Sequence, residues 1–346
     1  MNLRHLAGLA RLSPSAVSLA LRDSPKISLA TRKRVRRLAE EVGYRPDATV
    51  VAMMTHLRKR PAVRQPACFG VISFYDSAQP WKDSRHLNQI YDGMKRRADE
   101  LGYRLEPLWL REPGMTYRRF RGILDARGIE GLLCFGSPDF EQEFPSELDH
   151  YAIVTVGLSI RTPLHRVTSH FYNDTVQVLN RVHELGYVRP GLVVGRYEEA
   201  RSGHAHTAAY LGWCEHRLGS RRALPVHYVD RVEEAPLMAW LEGEQPDVLV
   251  FVHLYDMLKD LRAVLSAHDV KVPGKLGVAV LSQILEGTTF SGLQQNQPLM
   301  GAWAVELLAA RITNRDLGIP SNPRVEMVES RWVEKRSLRR KTLVNS

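Results

Sequence analysis

Ser13 to Arg22 reads SPSAVSLALR. Ser13 can accept a hydrogen bond from first-turn amides, and Pro14 suits the first helical position, where its missing N–H would have had no partner. A helix therefore starts here. Val17, Ala20 and Leu21 fall at i, i+3 and i+4 and make an inward stripe, leaving Ser15, Ala16, Ser18, Leu19 and Arg22 on other faces. The outward surface is small and ends in a cation, so it can approach a DNA groove closely. A short amphipathic helix with serines is more often plain structure, and its neighbours decide the reading.

Upstream, Leu3, Leu6, Leu9 and Ala10 have helical spacing, and Arg11 and Leu12 turn the chain into the Ser13 helix. Two short helices joined by a tight turn, the second capped by serine, form a helix-turn-helix pattern. Downstream, Ser28 caps a third helix with Ile27 ahead of it as a hydrophobic staple; Val35, Leu38, Ala39 and Val42 form its apolar face, and Gly43 ends it. Arg32, Lys33, Arg34, Arg36 and Arg37 load its other side. The stretch GYRPD (Gly43 to Asp47) closes the unit, because a residue before proline disfavours helix. Asp47 can cap one more short helix, Ala48 to about Leu57, and RKRPAVRQP (Arg58 to Pro66) has the charge and prolines of a linker.

The charge balance supports the same division. Residues 1–65 hold 14 of the 48 lysines and arginines but 4 of the 38 acidic residues, so the whole net charge of +10 lies there. A basic segment joined to a neutral body is the electrostatic footprint of phosphate binding, since neutralised phosphates release condensed counterions. At 346 residues the chain has room for two or three domains. No stretch approaches the roughly 20 apolar residues of a membrane helix, and the first residues lack the apolar run of a secretory signal; a cytoplasmic protein without a membrane partner is expected. Cys68, Cys134 and Cys214 are far apart, with no metal-type pairing, and read as buried small hydrophobes.

From Phe69 onward, short β-rich runs alternate with helical stretches. FGVISF (Phe69 to Phe74), RLEPLWL (Arg104 to Leu110), GLLCFG (Gly131 to Gly136), IVTVGL (Ile153 to Leu158), GLVVG (Gly191 to Gly195), VLVFVH (Val248 to His253) and GVAVLS (Gly277 to Ser282) are the strands; Gln89 to Leu101, Thr175 to Gly186 and Met257 to His268 are among the helices. This alternation predicts α/β architecture with parallel sheets.

The order of parts resembles the LacI/GalR family of transcription regulators. The matching residues are Leu6 and Ala7 in helix one, Ser13 with Ala16-Val17-Ser18 in helix two, Ile27-Ser28 leading to Thr31-Arg32, and the Tyr44-x-Pro46 turn. More loosely, ELGYVRPGLVVG (Glu184 to Gly195) and Gln295 with Met300-Gly301 and Ala304 resemble the family's helix-to-strand and crossover motifs; Asn296 stands where proline is common. The resemblance implies an α-helical headpiece over 1–46, a hinge helix and linker over 47–66, and a two-lobed, periplasmic-binding-protein-like (type I) module over 67–335. A basic tail, 336–346, would follow. It implies a homodimer on a pseudo-palindromic operator in double-stranded DNA, repression as the usual outcome in the family, and a small-molecule, carbohydrate-like effector between the lobes. Ser15, Ala16 and Leu19 would lie nearest base edges; Ser13, Ser18, Arg22, Ser28, Thr31 and Tyr44 would hold phosphates. In the hinge, Met53, flanked by Val50 and Met54, takes the place of the family's minor-groove leucine.

The cleft departs from the sugar-binding pattern. Where those members place an arginine, an Asn-Asp pair and an aspartate, this chain aligns His206, His253-Leu254 and Ser282, so a simple hexose is not the expected ligand. Tyr75, Trp81, Ser137, His170 and Tyr197 complete the expected effector set. Catalytic signals are missing: there is no phosphate-cradling glycine loop, no nucleophile elbow, and no carboxylate or cysteine near the pair His204 and His206 to complete a metal set. Neither an enzyme nor a cofactor is expected. Two other readings stay open, a solute-binding module whose basic head is incidental and a regulator without a small-molecule effector. A divergent sugar-processing enzyme lacks a catalytic constellation.

Overall fold

The computed structural model describes residues 3–21, 24, 27–44, 67–139, 141–219, 223–252, 257–282 and 287–341. Two compact units divide at Met1–Gln65 and Pro66–Ser346.

In the first unit, α1 (Leu3–Ala10), α2 (Pro14–Leu21) and α3 (Leu29–Glu41) enclose a small core of Leu6, Ala7, Ala10, Val17, Ala20, Val35 and Ala39. Local chemistry sets each boundary. Arg11 adopts φ +50° and lets the Leu12 amide reach back to the Ala7 carbonyl at 3.0 Å, which ends α1. Ser13 Oγ accepts the Ala16 amide at 3.2 Å, and Ser28 Oγ accepts that of Thr31 at 3.3 Å. Gly43, at φ +63°, allows the Tyr44 amide to close α3 on the Ala39 carbonyl. Leu9 departs from its expected inward place: it is 49% exposed, and Ala7 takes the core position. The expected helix from Ala48 lies outside the described residues.

The second unit holds two six-stranded sheets of the same strand order. The first comprises β1 (Cys68–Ser73), β2 (Arg104–Trp109), β3 (Ile129–Cys134), β4 (Ala152–Val156), β5 (His165–Ser169) and β11 (Val325–Val328), in the order β11-β5-β4-β3-β1-β2. The second comprises β6 (Pro190–Gly195), β7 (His227–Val229), β8 (Val248–Val252), β9 (Gly277–Ser282), β10 (Ser291–Gln294) and β12 (Arg331–Val333), in the order β12-β10-β9-β8-β6-β7. Neighbours are parallel except β10 and β12. Nearly unbroken burial along β1, β4, β6 and β8 reflects helices on both faces.

Those helices are α4 (Arg85–Glu100), α5 (Tyr117–Ala126), α6 (Phe171–Glu184), α7 (Arg196–Arg201), α8 (Ala205–Leu218), α9 (Glu234–Glu244), α10 (Met257–Ala267) and α11 (Gln297–Asn314). The chain passes between lobes three times. After β5 it enters α6, which packs on α8 in the second lobe; after β10 it returns through α11, which packs on α4 in the first; and β11 leads across to β12. The expected α/β class is therefore borne out.

One boundary needs correction. The stretch from 336, expected as a tail, packs into the second lobe as far as Lys341. Ser337 Oγ donates to the Val278 carbonyl at 2.5 Å and accepts the Ser291 amide, Leu338 is buried, and the Lys341 ammonium meets Asp247 at 2.8 Å. A serine hydroxyl that caps two strands, followed by an apolar side chain, gives this basic stretch a place in the core.

Candidate DNA-binding headpiece and interlobe cleft

On α2, Ala16, Ser18 and Leu19 are half-buried and flank the buried Val17 and Ala20, so the helix keeps a small-residue outer surface. Ser28 Oγ and Thr31 Oγ1 share one hydrogen bond at 2.8 Å. Two hydroxyls sharing one bond retain a proton to offer an anion. Exposed Lys33, Arg34, Arg36 and Arg37 surround them on α3. Arg34 also donates to the Ala10 carbonyl at 3.1 Å, fixing α3 against the end of α1, and Tyr44 is half-buried at the closing turn. Arg22, Val50, Met53 and Met54 lie outside the described residues, as does the side chain of Ser15.

In the second unit a cavity of about 380 Å³ opens where open α/β sheets place ligands, beyond the carboxyl ends of the strands at a topological switch point. In the first sheet that point lies between β1 and β3, and Tyr75 and Ser137 follow these strands directly. In the second it lies between β6 and β8, and α7, directly after β6, supplies Tyr197 and Arg201. The crossover contributes Phe171 and Gln297. Tyr197 Oη donates to the Pro138 carbonyl at 3.3 Å and joins the lobes across the opening.

Tyr75, Ser137 and Tyr197 thus line the cavity as expected, whereas three other expected residues stand behind its wall. Trp81 stacks on Tyr91 at 4.1 Å and Phe135 at 5.1 Å, and so backs the ring that does line it. His170 caps α6, its Nδ1 accepting the Asn173 amide at 3.3 Å. His206 is 3% exposed, held 2.9 Å from Thr175 Oγ1 and edge-on to Phe171. His253, and the side chain of Ser282, are outside the described residues.

Residues that the sequence did not single out complete the wall: Arg201, His86, Thr168 and Gln297. Arg201 lies 5.5 Å over the Phe171 ring. Its charge reinforces burial in lowering two histidines, His86 to about 4 and His206 to about 3, so both are neutral near pH 7. Burial pushes the Tyr75 phenol up to about 12 and keeps it a donor. The hydroxyl of Thr168 and the side-chain carbonyl of Gln297, each 1% exposed as residues, have no hydrogen-bond partner among the described residues. A local signal for Arg201 existed. Two helices follow β6, and the expected cation stands on the first rather than the second.

A helix-turn-helix unit ahead of a two-lobed α/β module defines a DNA-binding transcription regulator. Residues 2–47 match the family model described as "Bacterial regulatory proteins, lacI family". The HTH-type transcriptional repressor CytR of Escherichia coli (strain K12) is 23% identical over 282 residues, covering 80% of this chain and 78% of that protein. Among solved structures, the transcriptional regulator CelR–cellobiose complex has a TM-score of 0.56 at 21% identity, covering 97% of this chain and 99% of that one. The lac repressor dimer bound to operator and the anti-inducer ONPF has a TM-score of 0.57 at 15% identity, with 97% and 98% covered. Residues 2–47 carry the headpiece that this family model describes, and the module after them has the fold these structures share.

Proposed function

We propose that two copies of this chain bind a pseudo-palindromic operator through their headpieces, and that a small molecule in the interlobe cleft changes the operator affinity. The headpiece carries the reading: α2, capped by Ser13, presents small side chains beside α3, which is capped by Ser28 and carries exposed cations. Ser15, Ala16 and Leu19 would meet base edges. Ser13, Ser18, Arg22, Ser28, Thr31 and Tyr44 would hold phosphates, and Val50, Met53 and Met54 would press into the minor groove. Repression is the sense of regulation we propose, as in the transcriptional repressor CytR. The chain acts in the cytoplasm, where the chromosome is, and performs no catalysis.

The cleft suits an effector because it joins elements of both lobes around unsatisfied polar atoms. A ligand that bridges them prefers one arrangement of the lobes, and operator affinity changes to the extent that the arrangements bind DNA differently. Selection of bound fragments from random duplex DNA, followed by titration at several salt concentrations, tests this reading. A two-fold-related consensus and an affinity falling steeply with salt are expected, both lost when residues 1–65 are removed. Equal binding by the truncated protein would refute the headpiece's role.

A further inference from the structure

The geometry points to a small organic anion as the cleft ligand, its negative group on Arg201 and an apolar body between Phe135 and Phe171. This rests on the effector reading above and names its chemistry. Arg201 is the one guanidinium lining the cavity, and no aspartate or glutamate lines it among the described residues. Its Nε is buried without a hydrogen-bond partner there, and no salt bridge is formed by it there. Its field reaches both walls, acting on Tyr75 and His86 from the first lobe and on Tyr197 and His206 from the second.

The described acids nearest Arg201 do not line the cavity. Glu198 and Glu199 share α7 with Arg201, but neither lines the cavity; Glu199 accepts the Thr207 amide at 3.3 Å and faces His204 at 3.6 Å, which corrects the expectation that no carboxylate stands near that histidine. Asp139 is exposed and accepts the Glu141 amide. A half-buried guanidinium that meets no carboxylate among the described residues favours an anion that brings its own charge, and the fork of an arginine fits carboxylate and phosphate oxygens alike.

Other lining groups describe the rest of the molecule. Phe135, Phe171, Ile90 and Met300 offer an apolar slot. The Gln297 side-chain carbonyl needs a donor, and the Thr168 hydroxyl needs a polar partner. A hydroxyl or amine on the ligand would satisfy both. The neutral imidazole of His86, its Nδ1 2.8 Å from Ser84 Oγ, adds no second cation. One negative charge is therefore matched, and a polyanion is not.

Matched pairs test this on the full chain by calorimetric titration at pH 7.5: 4-hydroxybenzoate against 4-hydroxybenzamide, and methyl 4-hydroxyphenyl phosphate, a monoanionic diester, against dimethyl 4-hydroxyphenyl phosphate. The anion of at least one pair should bind at least tenfold more tightly than its neutral twin, and which pair responds separates a carboxylate from a phosphate. The advantage should shrink between 20 and 500 mM chloride. Arg201→Gln should reduce the anion to the level of its twin, while Arg201→Lys, which keeps the charge, should retain part of the difference. Equal binding of the twins, no binding by either pair, or an undiminished advantage in a folded Arg201→Gln protein overturns the assignment.

Operator titration separates this proposal from its premise. An anion that binds through Arg201 yet leaves operator affinity unchanged supports the anion site and refutes the effector role. A neutral compound that releases operator DNA equally from the native and Arg201→Gln proteins does the reverse.

Discussion

His206 shows how a polar residue in a lobe core makes stability depend on pH. Thr175 Oγ1 donates to the Phe171 carbonyl at 3.0 Å, so the His206 imidazole supplies the proton in its own contact with that hydroxyl. The ring is neutral and buried, and its folded pKa of about 3 lies below the ordinary 6.5. Between those values the unfolded chain takes a proton that the folded chain refuses, so stability falls as pH falls through the window, at most about 1.4 kcal/mol per pH unit. His86 acts in the same sense down to about 4. Asp174 acts oppositely: burial lifts it from 3.8 to about 6 although Ser330 donates to it, and protonation favours its folded form as pH falls through that range. Denaturant melts from pH 7.5 to 4.5 should therefore show a net decline that steepens in Asp174→Asn, which lacks the opposing term. Separately, His206→Ala should cost roughly 2–3 kcal/mol through a cavity and a lost buried hydrogen bond, measured as a lower denaturant midpoint. A fully stable His206→Ala protein would contradict the buried contact.

Among elements, α4 and α11 cross in close contact and line part of the cleft. A Cβ added at Gly301 would lie 2.0 Å from the Ile90 carbonyl oxygen, and one at Gly93 would lie 2.0 Å from that of Pro298. Both neighbours are backbone and cannot turn aside. These helices also carry His86, Ile90, Gln297 and Met300 to the cavity. Gly301→Ala should force them apart, lowering stability by about 1–3 kcal/mol and weakening cleft ligands, with thermal melting and titration as the readouts. Met300-Gly301 was visible in the sequence as a motif, but the reason for the glycine lies in a carbonyl more than two hundred residues away. Helix caps such as Ser13 and Ser28 were legible because donor and acceptor are three residues apart. Strand β5 was not, because HRVTS lacks an apolar pattern; its burial is sustained by Arg166 donating to the carbonyls of Ile160, Thr162 and Leu164, and by His165 against Arg311.

Over the whole α/β module, the repeated strand order means that each lobe brings its own switch point to the cleft, and ligand affinity depends on how often the two meet. Tyr197 connects them, its hydroxyl on α7 of the second lobe donating to the Pro138 carbonyl beyond β3 of the first. A neutral hydrogen bond of this kind contributes about 0.5–1.5 kcal/mol net. If the lobes interconvert between open and closed arrangements, removing the bond lowers the closed fraction, and the apparent dissociation constant rises by the inverse of that fraction. Tyr197→Phe should therefore weaken a cleft ligand about threefold to tenfold, while the 36% exposed side chain loses little packing and the melting temperature stays nearly unchanged. Calorimetric titration measures the first effect, and operator binding without ligand should show a far smaller change. By linkage, the ligand concentration that half-releases operator should rise by the same factor as the dissociation constant. An unchanged ligand affinity in Tyr197→Phe would mean that closure is held by other contacts, and a parallel loss of ligand-free operator binding would place Tyr197 in the stability of the module rather than in its closure.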